Sequence, residues 1–131
     1  MSVEYTYDEE KNILYTRFFG VITNKDFLDQ GESIGADARI KPGVRELVYL
    51  VDIEDIQASP SGFELNIQID SKNRDKLQGM RTAVIAETDL LYGFARMYQS
   101  LTEVRDAPST VEVFRTEIEA RKWLGLDGDA E

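Results

Sequence analysis

The chain has 131 residues, 42% of them hydrophobic, and carries 25 acidic against 15 basic side chains, a formal net charge of −10 at neutral pH. That length suits one domain with a single core, and that charge disfavours a phosphate backbone or an anionic membrane surface as partner. The chain has no cysteine and no histidine, which excludes disulfides, thiolate catalysis and Cys-ligated metals and removes the usual neutral-pH proton shuttle.

No apolar run approaches the roughly 20 residues of a membrane span. The start, Met-Ser-Val-Glu-Tyr, lacks the basic and apolar regions of a secretion signal. A cytoplasmic protein is expected.

Val3, Tyr5 and Tyr7 alternate with polar residues, the period of a strand. A polar turn at 8–12 leads to a second strand at 13–20, rich in aromatic and β-branched residues, and the two form an antiparallel hairpin. Thr23 or Asn24 caps the next helix, whose inner stripe is Phe27, Gly31, Ile34 and Ala38. Pro42-Gly43 ends that stretch. Residues 47–51, Leu-Val-Tyr-Leu-Val, are apolar on both faces and read as a central strand that emerges at Asp52.

Residues 63–70 alternate like a strand, but Ser59-Pro60 is a cap followed by proline at the first helical position, and Ser61 with Glu64 is a capping box. A helix there also supplies the crossover that parallel strands need, so the segment reads as helix. Residues 82–86 form a second short buried strand. Asp89 or Thr88 caps a strong helix with Leu90, Phe94, Met97, Leu101 and Val104 on its inner face. After the break at Ala107-Pro108-Ser109, Val111, Val113 and Phe114 make the last strand. Thr116 with Glu119 boxes a final helix that buries Ala120, Trp123 and Leu124, and Gly125 stands where a cap glycine belongs. Residues 127–131 read as a frayed acidic tail beyond a domain of residues 1–126.

The order β-β-α-β-α-β-α-β-α predicts an α/β fold with a mixed five-stranded sheet flanked by about four helices. In such sheets ligands and partners meet the carboxyl ends of the strands. Asp52, Glu54 and Asp55 follow the third strand, and Glu87 and Asp89 the fourth. Converging there, they form a candidate magnesium or acid-catalysis cluster, weighed against solvated acids near a helix start. Ser59 and Ser61 are candidate phospho-acceptors at a helix N-terminus, weighed against simple capping. Tyr92 and Arg96, four residues apart, share a face that suits a partner's anchor, and Gly93 between them suggests close approach of the sheet or a ligand. No phosphate loop, dinucleotide fingerprint or nucleophile elbow is present.

Phe19-Gly20-Val21-Ile22-Thr23 in the hairpin, the apolar strand ending in Asp52, the Ser59-Pro60-Ser61-Gly62 helix start, and the closing Val113-Phe114 strand with Glu119-Ala120-Arg121-Lys122-Trp123-Leu124 resemble the SpoIIAA-like branch of the STAS (sulfate transporter and anti-sigma antagonist) superfamily. The resemblance implies a compact mixed sheet flanked by helices and no enzymatic activity. In anti-sigma antagonists of that superfamily a serine at this helix start is phosphorylated and switches protein binding. Aligned on Gly62, this chain places Pro60 at the acceptor and Ser59 at the preceding acid. Some relatives resemble lipid-binding SEC14 domains, which implies a small-ligand cleft.

The functional expectation is a non-catalytic binding or regulatory module without a cofactor or metal. Its protein contacts lie around residues 59–63 and the Tyr92–Arg96 face, with Asp52 and Phe63 included. A small apolar-ligand carrier lined by Phe63, Phe94 and Tyr98 is the alternative. A metal-dependent enzyme using Asp52 and Glu87 is the third. Homodimerisation is expected from the edge strand and several tyrosines.

Overall fold

The structure, a computed structural model, describes residues 2–126; the acidic tail read at 127–131 lies outside the described residues. Strands β1 (Val3–Asp8), β2 (Ile13–Ile22), β3 (Arg45–Ile56), β4 (Arg81–Ile85) and β5 (Thr110–Phe114) form one sheet in sequence order. β1 and β2 pair antiparallel, and the remaining pairs are parallel. Between them run α1 (Asn24–Ala36), α2 (Pro60–Lys72) and α3 (Asp89–Val104), and α4 (Glu117–Trp123) closes the chain. The expected α/β fold with a mixed five-stranded sheet and four helices is the one observed.

Two apolar layers sandwich the sheet. Phe27 of α1, Phe63 of α2 and Ala95 of α3 pack on Phe18, Val48 and Val84 of one face. Ala120 and Leu124, at α4, pack on Ile13, Leu47, Ala83 and Ile85 of the other. The alternating side chains of β2 to β5 thus serve both layers, which is why the central strands read as continuous apolar runs. Phe63 is fully buried amid the rings of Phe27, Phe94 and Tyr98, with centroids 4.9, 5.2 and 5.3 Å away. It is therefore a core residue and not part of a partner face.

Local signals set the helix ends. Thr23 caps α1 in a capping box with Asp26, whose carboxylate accepts the Thr23 N–H at 2.8 Å. Thr88 and Thr116 cap α3 and α4, each accepting an N–H from the third residue of its helix. Gly125, at φ 77°, takes the left-handed position after α4. α1 ends at Ala36, so Ala38 is exposed and not part of its inner stripe. Asp37 has left helical geometry there and binds Arg39 and Tyr5 instead.

α3 is rotated from the expected orientation. Leu90, Met97 and Val104 are 73%, 42% and 70% exposed. The buried side instead carries Ala95, Gln99 and Thr102, with Leu91, Phe94 and Tyr98 half-buried beside them. Gln99 Nε2 donates to the Val111 carbonyl at 2.8 Å, and Thr102 Oγ1 to the Gln99 carbonyl at 2.6 Å, while Gln99 Oε1 is buried without a hydrogen-bond partner among the described residues.

Candidate functional site

The carboxyl edge of the sheet is shaped by a mismatch in strand length. β3 pairs with β4 only over Arg45 to Tyr49, while it continues beside β2 to Ile56. Residues 50–56 therefore have a strand on one side and none on the other. Asp52 does not mark the strand's end, as the apolar run suggests. It lies within β3, at φ 50°, where the register against β2 slips: Phe18 faces Leu50, Gly20 faces Ile53 and Val21 faces Asp55. These irregularities bend and twist the overhanging strand.

Across from the overhang stands the first half of α3. Between them lies an open groove of about 860 Å³. Leu50, Ile53, Ile56 and Ala58 form one apolar wall, and Leu90, Leu91, Phe94 and Met97 the other. Asp52, Glu54, Asp55, Glu87 and Asp89 rim it. The acids expected to gather at this edge do gather. Among the described residues, however, no group of three or more acidic side chains is placed to hold a metal ion.

The remaining sequence candidates divide. Gly93 lines the groove, and a Cβ built on it would meet nothing within 4 Å, so neither the sheet nor another helix approaches it. Arg96 is exposed on the adjacent face. Tyr92 is half-buried and covered by the Arg115 guanidinium, 4.3 Å from its ring, while Arg115 also reaches Asp89 at 2.9 Å. Tyr92 and Arg96 thus share a helix, but Tyr92 is engaged by Arg115 while Arg96 has no side-chain partner among the described residues.

Ser59 stands at the N-cap of α2, followed by Pro60, as the sequence indicates. Its hydroxyl does not bond an N–H of its own helix; the Asn24 side chain accepts the Ser59 N–H at 2.8 Å and donates to Ser59 Oγ at 3.2 Å. The Ser61–Glu64 capping box is not formed, because α2 starts at Pro60 and Ser61 lies inside its first turn; Glu64 pairs with Arg105 at 2.9 Å. Ser61 is exposed in the first turn of α2.

Sequence reasoning missed a second feature, in the interior. Glu46 is 3% exposed. Its Oε2 accepts from Thr16 at 2.6 Å and from Gln30 at 3.0 Å, and its Oε1 accepts from Thr82 at 3.1 Å. Gln30 accepts from Asn66, and Tyr98 donates to Asn66, each within 2.9 Å. Burial pushes the Glu46 carboxyl above its ordinary range, against the three donors that hold it down. Asp70, partly buried on α2, is pushed up to about 8 by desolvation and by the neighbouring Glu46 charge. Beside Glu46 lies a small cavity of about 50 Å³ walled by Phe18, Phe27, Phe63, Phe94 and Tyr98. Leu50 and Phe94 line both the cavity and the groove, so they separate one from the other. The one available signal was an acid, Glu46, at the head of an apolar strand.

No family model and no curated protein matches the chain. A solved structure does: an uncharacterized DUF3478-family protein with a SpoIIAA-like fold from Shewanella loihica PV-4. It is 16% identical, with 94% of each chain covered and a TM-score of 0.60. The fold is therefore SpoIIAA-like, as the sequence motifs suggested.

Proposed function

We propose that the protein is a non-catalytic binding or regulatory module that works through protein contacts at the groove between the β3 overhang and α3. The observation that carries this reading is the groove itself: an open, apolar floor flanked by the exposed Leu90 and Met97. Exposed apolar surface of this kind costs solubility unless something covers it. Its position outside the carboxyl ends of parallel strands is where open α/β sheets meet their partners. In the same reading the module acts in the cytoplasm, uses no cofactor and catalyses nothing. No helix among the described residues is long and apolar enough to cross a membrane.

Photocrosslinking tests the proposal. A photoreactive residue at Leu90 is expected to give protein adducts in cells that the same residue at Glu10, in the hairpin turn, does not. Equal adducts, or none, from Leu90 overturn it.

A second reading, carriage of a small apolar ligand, draws support from the aromatic cavity beside Glu46. At about 50 Å³ that cavity has room for a few waters rather than a lipid chain. The carrier reading therefore requires Leu50 or Phe94 to swing aside and join cavity to groove. Displacement of an environment-sensitive apolar dye, lost in Phe94→Trp, is the result expected from a carrier; no dye binding by the wild type excludes it.

A further inference from the structure

Of the five apolar residues that the sequence places on the inner face of α3, Leu90, Met97 and Val104 lie on the surface, while Phe94 and Leu101 pack partly against the core. Leu90, Met97 and Val104 recur every seventh residue, and the small Gly93 and Ser100 fall between them, all exposed. That is the seam of a helix that packs on another helix, large residues alternating with gaps. Beside the seam Arg96 and Glu103 are also exposed, and neither has a side-chain partner among the described residues.

We propose that α3 is a self-docking surface on which a second copy of this chain packs its own α3 antiparallel. The argument for a second copy is reciprocity. Arg96 and Glu103 stand two turns apart on one flank, about 10 Å along the axis. A two-fold axis between Met97 and Ser100 sets Met97 against Ser100 of the second copy and Val104 over its Gly93, where the missing Cβ leaves open space. In the same register Arg96 lies only about 3 Å along the axis from Glu103 of the second copy, on the same flank, and Glu103 as far from its Arg96, within reach of both long side chains. Both ion pairs form together, as an isologous contact requires. Parallel packing would instead set like charges level. An unrelated helix has no reason to match a spacing that complements itself.

The proposal rests on reading the groove as a protein-contact surface and names the occupant of its α3 wall. Sedimentation velocity over a concentration series tests it, on variants whose substitutions are all exposed and whose fold is checked by circular dichroism. The wild type is expected to dimerise reversibly. Arg96→Glu and Glu103→Arg are each expected to weaken the dimer about tenfold, and the double reversal to restore it. Met97→Glu is expected to abolish it. A wild type that stays monomeric, a double reversal that fails to rescue, or a dimer indifferent to Met97→Glu overturns self-docking. If the chain is monomeric while Leu90 still crosslinks to other proteins, self-docking falls and the groove reading stands. If those adducts are absent too, both fall.

Discussion

Asn24 and Ser59 hold the starts of α1 and α2 together. Asn24 Oδ1 accepts the Ser59 N–H at 2.8 Å, and its Nδ2 donates to Ser59 Oγ at 3.2 Å. One side chain thereby satisfies an orphan donor of the neighbouring helix and holds the hydroxyl that the sequence offered as a phospho-acceptor. Asn24→Ala is expected to destabilise the fold by about 1 kcal/mol, and Ser59→Ala by less, because the backbone bond survives. Urea unfolding of both singles and the double checks this; strictly additive losses would show that the two side chains do not act as a pair.

Gly62 is the reason the two helix starts can approach. A Cβ there would lie 2.9 Å from the Asn24 Cα and 2.4 Å from its Oδ1. Gly62→Ala is therefore expected to cost about 1–3 kcal/mol although alanine is the better helix former. A melting temperature at or above wild type would contradict the packing.

Gly93 behaves oppositely. It sits inside α3 with open space around its Cα, so it carries the helix penalty of glycine without a packing return inside the chain. Gly93→Ala is expected to stabilise the monomer by about 0.5–1 kcal/mol, measured at concentrations where the chain does not associate. A loss of stability would mean that this face is packed in solution.

The buried acids make stability pH-dependent. Glu46 is held above the ordinary carboxylate range by burial, and Asp70 is pushed up to about 8. Unfolded carboxyls ionise near pH 4, so between about pH 4 and 8 the folded chain keeps protons that the unfolded chain has released. Stability then falls as pH rises through that window. Asp37, held low chiefly by its bond to Arg39, acts in the other direction but only on further acidification. Unfolding at about pH 5 is expected to require at least about 1 kcal/mol more than at about pH 8. Glu46→Gln and Asp70→Asn should each flatten the slope; an unchanged slope in both would place the titrating groups elsewhere.

Much of the fold was legible because its signals are local. Ser59-Pro60, Thr116 with Glu119, and Gly125 each act on backbone a few residues away, and each marks the end that the sequence assigns to it. Alternation in 63–70 was outweighed by such end signals, and α2 is indeed a helix. The failures are non-local. α3 buries Gln99 and Thr102 because β5 and its own backbone offer hydrogen-bond partners, and no periodicity count registers that offer. The chain of bonds from Tyr98 through Asn66 and Gln30 to Glu46 draws on every helix of one layer, so it appears only after they are stacked. Phe63 looked available for contact only because its neighbours Phe27, Phe94 and Tyr98 come from other elements.

By itself the amino-acid sequence determined the order of elements, the SpoIIAA-like fold class, the helix caps and the acidic surface, since these depend on composition and on neighbours along the chain. The tertiary structure alone decided which stripe of α3 faces water, where Glu46 is sealed, and how β3 overshoots β4 to open a groove. Those outcomes depend on which surfaces compete for burial, and that competition is settled between residues far apart in the chain.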